Sequence, residues 1–152
     1  MMIKTIPYKP EHALEIVATH DGVADSGIKF GDEVQVVAEF MASSARSVTY
    51  VVDGRIVGCG GICVVKPGFG EAWGLFVADI GSVHIDPYIP RKRFWQWVED
   101  LKLDRVQAPI RDGFERGEQY VRYLGFAFEE TRKDYYGAGN DAKMWVIKRK
   151  VQ

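Results

Sequence analysis

Ser47-Val48-Thr49-Tyr50-Val51-Val52-Asp53-Gly54-Arg55-Ile56-Val57-Gly58-Cys59-Gly60-Gly61-Ile62-Cys63-Val64-Val65 holds two β-rich runs, Ser47 to Val52 and Ile56 to Val65, around an Asp-Gly pair. A two-residue hairpin turn needs positive φ at both central residues, and Asp-Gly tolerates it, so an antiparallel hairpin is predicted here. Gly58, Gly60 and Gly61 leave the second strand short of side chains to pack. Such a cluster marks a bulge or a place where another backbone comes close. Pro67, Gly68 and Gly70 end that strand.

The next strand runs from Glu71 to about Val77. Ala72-Trp73-Gly74-Leu75-Phe76-Val77 is almost wholly apolar, which predicts a central strand covered on both faces. Ala78 to Ile89 is irregular. A helix opens at Pro90 and carries Phe94, Trp97, Val98 and Leu101 at helical spacing. Arg105 to Ile110 reads as a short strand, and Phe114 to Leu124 as a helix ended by Gly125, a residue suited to the left-handed cap. Phe126 to Tyr136 and Met144 to Lys150 are the last two strands, with Gly137, Gly139 and Asn140 in the turn. Upstream of the hairpin, Ile3 to Tyr8 is a strand. A helix follows at Pro10 and Glu11 with Ala13, Leu14, Ile16 and Val17 on its apolar face. A second, from about Asp32 to Ser44, puts Val36, Val37, Phe40 and Met41 on one side. The order is β-α-α-β-β-β-α-β-α-β-β, without repeats or linkers, and a single domain over residues 1–152 is expected.

Composition narrows the function classes. Twenty basic residues nearly cancel twenty-one acidic ones, for a formal charge of -1. That removes the broad positive field on which general nucleic-acid binding depends. No window approaches the roughly 18 apolar residues of a membrane span, and Met1 to Pro10 lacks a signal-peptide core, so a cytoplasmic protein is expected. Cys59 and Cys63 lie on one strand, about 13 Å apart at strand rise, too far for a disulfide. With His12, His20 and His84 at no ligand spacing, no metal site is expected.

Asp53-Gly54-Arg55-Ile56-Val57-Gly58 and Tyr120-Val121-Arg122-Tyr123-Leu124-Gly125-Phe126, in this element order, resemble the hairpin and the Gly-Phe helix exit of the GNAT (GCN5-related N-acetyltransferase) superfamily. The resemblance runs from about Ile3 to Lys150. It implies an α/β (α+β) fold with a mixed, mostly antiparallel sheet of six to seven strands and about four helices. It also implies acetyl-CoA as co-substrate and an unidentified amine as acceptor. The pantetheine arm would pair with the backbone of Leu75, Phe76 and Val77, and the pyrophosphate would lie at the start of the helix opened by Pro90, beside Arg91, Lys92 and Arg93. Glu71 is the candidate base by family position.

Two departures from the family stand out. Asp79 to Arg93 lacks the family's run of Arg or Gln, two residues, Gly, one residue, Gly or Ala, so the phosphate loop is degenerate and charge from Arg91 to Arg93 replaces glycine. The family's proton-donating tyrosine, four residues before the Gly of Gly-Phe, is Val121 here. Tyr120 sits one place earlier, about 100° around the helix, and is the candidate acid. Arg91-Lys92-Arg93-Phe94 and Tyr123-Leu124-Gly125-Phe126 also resemble small GNAT-like proteins of short-tailed bacteriophages. Two functions stay open at this point: an acetyl-CoA-dependent N-acyltransferase, or an inactive GNAT-fold protein that binds a protein partner, as an internal virion or assembly component would.

Overall fold

The computed structural model describes residues 3–19, 33–77, 80 and 88–149. Its strands are β1 (Ile3–Ile6), β2 (Arg46–Val52), β3 (Arg55–Lys66), β4 (Phe69–Phe76), β5 (Arg105–Arg111), β6 (Ala127–Arg132) and β7 (Ala142–Lys148). The helices are α1 (Pro10–Thr19), α2 (Glu33–Ala42), α3 (Tyr88–Asp100) and α4 (Glu115–Leu124). Strands hydrogen-bond in the order β1-β2-β3-β4-β5-β7-β6. Pairing is antiparallel at β1–β2, β2–β3, β5–β7 and β6–β7, and parallel at β4–β5. The expected mixed sheet and element order are therefore observed. Packing divides the described residues into two units, one of 3–19, 33–63, 73–77 and 80, the other of 64–72 and 88–149.

In the first unit the hairpin turn forms as Asp-Gly dictates, with φ of 50° at Asp53 and 78° at Gly54. The β2–β3 register shifts between Tyr50 and Val51, which pair with Gly58 and Ile56, so Val57 is the extra residue of a bulge. Close approach accompanies it. A Cβ on Gly58 would run into the Phe76 ring, and one on Gly60 would lie 3.1 Å from the Trp73 carbonyl. Val48, Tyr50, Val52, Val57, Cys59 and Ile62 are buried, as are Ala13 and Ile16 of α1. Tyr8 donates its hydroxyl to the Ala38 carbonyl at 2.9 Å. The imidazole Nδ1 of His12 accepts the Lys9 amide at 3.1 Å and lies 2.7 Å from the buried Thr49 hydroxyl, which therefore donates to it.

Two expectations, one for α2 and one for β4, are corrected. Of the four α2 residues expected on one side, Met41 is buried and Val37 half-buried, but Val36 and Phe40 are exposed, and Ala38 is buried instead. The inward face is turned part of the way round from the one read in sequence. β4 is not covered on both faces: Gly70 and Leu75 are buried, Gly74 is exposed and the rest are half-buried. The strand begins at Phe69 because Gly68, at φ 79°, closes the preceding turn in two residues. Val77 lies past the strand's end but still donates to the Val57 carbonyl at 3.0 Å.

In the second unit β5 pairs with β7 from Arg105↔Lys148 to Arg111↔Ala142. Val106, Ala108, Met144 and Ile147 lie in the core with Phe94, Val98, Leu103, Val121, Leu124 and Phe126. α4 stops at Gly125, φ 109°, whose N–H reaches the Arg122 carbonyl at 3.0 Å. The free carbonyl of Leu124 accepts the Trp95 indole N–H at 2.8 Å, which ties α3 to that helix end. β6 is shorter than expected. Asp134, at φ 56°, bonds the Gly139 amide, and its own amide bonds Asp141 Oδ1, so the connection to β7 starts at Lys133. α3 begins at Tyr88, and Pro90 is its third residue, where a missing N–H costs nothing because first-turn donors have no helical partner. Among the described residues no helix is long and apolar enough to cross a membrane.

Candidate functional site

A parallel ladder requires a donor every second residue, and β5 loses one. The Arg105 amide donates to the Gly68 carbonyl at 3.1 Å, which sets the β4-facing parity of β5 to its odd-numbered residues. The paired residues are Phe69↔Arg105, Gly70↔Val106 and Glu71↔Gln107. The next odd position is Pro109, which has no N–H to give, so the rung that would reach Ala72 cannot form. The other edge of β5 stays paired with β7 through Arg111. The Pro109 carbonyl, on the same β4-facing edge, accepts the Tyr136 hydroxyl at 3.2 Å.

Glu71 stands at the last rung, half-buried, and its Oε1 accepts the Gln107 side-chain amide at 2.7 Å. Directly paired residues of a parallel ladder share a face, so this contact follows from the register. Tyr135 and Tyr136 stack edge to face, with centroids 5.0 Å apart at 85°. Burial, reinforced by the Glu71 carboxylate, pushes the Tyr135 hydroxyl up, with Arg132 opposing. Burial pushes the Tyr136 hydroxyl well above its usual range, with smaller contributions from Tyr135 and Glu71. Glu71 thus shares its surroundings with Gln107, Tyr135 and Tyr136, none of which sequence reasoning singled out. Pro109, inside an otherwise strand-like run, was the available signal.

The remaining candidates lie as follows. Leu75 and Val77 are buried, and Phe76 is half-buried with its ring against Gly58 and Gly74. Since the Val77 amide faces β3, alternation turns the backbone groups of Leu75 to β3 as well, and those of Gly74 and Phe76 the opposite way. Arg91, Lys92 and Arg93 occupy the fourth to sixth positions of α3, two places further in than a helix starting at Pro90 would put them. The Arg91 guanidinium lies 5.4 Å from the centre of the Tyr123 ring. Arg91 and Lys92 line an open groove of about 350 Å³ with Tyr88, Trp95, Gln96 and Glu99. The stretch from Asp79 to Arg93, read from sequence as a degenerate phosphate loop, lies partly outside the described residues. On α4, Tyr120 is half-buried and Val121 is buried. Cys59 is buried and its thiol pushed up by burial, Cys63 is half-buried, and neither joins a metal-binding group among the described residues.

No protein-family model matches the sequence, and no curated protein matches it significantly. Solved structures do. A probable acetyltransferase superposes with a TM-score of 0.74 at 15% identity, covering 97% of this chain and 93% of that one. The ribosomal-protein-S5-alanine acetyltransferase of Vibrio fischeri gives 0.73 at 16% identity, over 97% and 93%. A GNAT-family acetyltransferase of Streptococcus pneumoniae gives 0.66 at 14% identity, over 97% and 99%. With its seven-stranded order, its interrupted β4–β5 ladder and these likenesses, the chain has the fold of the GNAT acetyltransferases.

Proposed function

We propose that the chain acts as a single domain that transfers an acetyl group from acetyl-CoA to an amine. The observation that carries this reading is the ladder ending at Pro109 with the Glu71 carboxylate on its last rung. Structural likeness over 97% of the chain supports the single domain. The residues present fit acetyl-CoA. Gly74 is exposed and turns its N–H and C=O away from β3, as an extended pantetheine amide needs, with Phe76 turned alike and Leu75 and Val77 as the apolar packing. Arg91, Lys92 and Arg93 supply the positive charge for phosphates where the glycine loop is degenerate. When bound, acetyl-CoA supplies an activated thioester.

In this reading Glu71 accepts the proton that the amine nitrogen loses as it bonds to the thioester carbon. Tyr120 delivers its hydroxyl proton to the departing sulfur, leaving an amide and a thiol. Holding amine and thioester together supplies most of the rate. The acceptor is a primary or secondary amine of unassigned structure, and origin in a short-tailed bacteriophage rests on the sequence resemblance of Arg91 to Phe94 and Tyr123 to Phe126. A second reading, a GNAT-fold protein that binds a protein partner without turnover, draws on Val121, buried where the family carries its tyrosine.

A thermal shift separates the two. Acetyl-CoA at about 100 times its dissociation constant is expected to stabilise the protein by roughly 2.7 kcal/mol. No shift at millimolar acetyl-CoA would remove the transferase reading and leave the interaction protein.

A further inference from the structure

A carboxylate that takes a proton in a reaction must present one oxygen repeatedly to the same point, yet its terminal torsion is soft. Glu71 has one oxygen engaged. Gln107 Nε2 donates to Oε1 at 2.7 Å, and Oε2 is the carboxylate's second oxygen. The donor is itself fixed, because Gln107 lies opposite Glu71 in the ladder and its strand is locked on the far edge by β7, where Gln107 pairs with Val146. On the same face of β5, Arg105 is taken by Glu129 in a two-pronged bond at 2.6 and 3.0 Å, and Pro109 has no side-chain donor. Arg111 stands at the far end of this face, two ladder positions past the last rung, so Gln107 is the donor in register with Glu71. An amide also orients a carboxylate without the opposite charge that would make any carboxylate a weaker base.

We propose that Gln107 is the positioning residue of the Glu71 carboxylate: its amide holds Oε1 so that Oε2 meets the proton of the acceptor amine. The assignment rests on the transferase reading above, in which Glu71 is the base. The titratable groups that register the Glu71 charge are Tyr135 and Tyr136, with Arg132 acting on Tyr135. Both hydroxyls are pushed up and stay neutral through the neutral range.

The test uses the full chain with Gln107→Leu and Gln107→Glu, reading kcat and KM against pH, acetyl-CoA affinity by calorimetry, and the Glu71 side-chain carboxyl by carbon NMR. Gln107→Leu is expected to lower kcat about 10- to 100-fold with acetyl-CoA affinity unchanged. It should also displace the Glu71 carboxyl resonance at neutral pH. Gln107→Glu places two carboxyls on one rung that resist joint ionisation, and the acid limb of its pH–rate profile should move to higher pH. An unmoved Glu71 resonance in Gln107→Leu overturns the proposal, with or without turnover. Parental kcat and pH profile in both variants, beside an inactive Glu71→Gln, overturn it while leaving Glu71 as base. If acetyl-CoA does not bind the parent protein, the transferase reading fails and the positioning role goes with it.

Discussion

Glu71→Gln is expected to bind acetyl-CoA as the parent does and to turn over about 10²- to 10⁴-fold more slowly, the usual contribution of a positioned proton acceptor. The substitution changes little else. A glutamine carbonyl oxygen can still accept the Gln107 amide that now meets Oε1, so the last rung of the β4–β5 ladder keeps its geometry. What disappears is the ability to take a proton from the amine. The deficit should therefore narrow as pH rises toward the amine's own pKa, where unprotonated acceptor no longer needs the carboxylate. A pH–rate profile of parent and variant checks this. Equal kcat values at neutral pH would remove Glu71 from the chemistry and return attention to solvent as the base.

Gly61→Val should destabilise the fold by about 3 kcal/mol, read as a shift in denaturation midpoint. A Cβ at position 61 would meet the Arg46 carbonyl oxygen and come within 2.9 Å of Trp73 Nε1. Neither neighbour can give way cheaply. Arg46 lies on β2 in register with Ile62, one residue away. The Trp73 indole donates to Ser44 Oγ at 2.8 Å, that hydroxyl donates to the Met41 carbonyl at 2.6 Å, and the Tyr8 ring packs on Trp73 with centroids 5.2 Å apart. Domain stabilities are commonly 5–15 kcal/mol, so about 3 is a large share. Gly54→Asn is the matched control: position 54 has open space, and asparagine tolerates its φ of 78° better than most residues. A Gly61→Val protein as stable as the parent would contradict the close approach of Trp73 to β3.

The parts of the fold that local chemistry decides could be read from the sequence. Asp53-Gly54 specifies its turn through two backbone angles, and Gly125 ends α4 through one, so both needed only neighbouring residues. The glycines at 58, 60 and 61 announced a bulge and a close approach, but which ring would lie over them depended on a strand a dozen residues further on. The α2 face was partly misread because Val36 and Phe40 satisfy a helical stripe by themselves, while the burial of Ala38 beside the expected Met41 is set by what packs against the helix. At the site, Glu71 was reachable through family position. Gln107 was not, because 36 residues separate it from Glu71 and only the parallel register makes them partners. Pro109 was in plain view as a proline inside a strand, yet its meaning depends on parity. On the β7-facing edge it would have removed a different bond.

Amide exchange reads the backbone of β4 just past its last rung directly. In the protein without ligand the Gly74 N–H, three residues beyond Glu71 and turned away from β3, should exchange quickly, while the Val77 N–H, bonded to Val57 at 3.0 Å, should be protected. Saturating acetyl-CoA should slow Gly74 and leave Val77 unchanged. A Gly74 amide already protected without ligand, or one indifferent to acetyl-CoA, would contradict both the interrupted ladder and the use made of it.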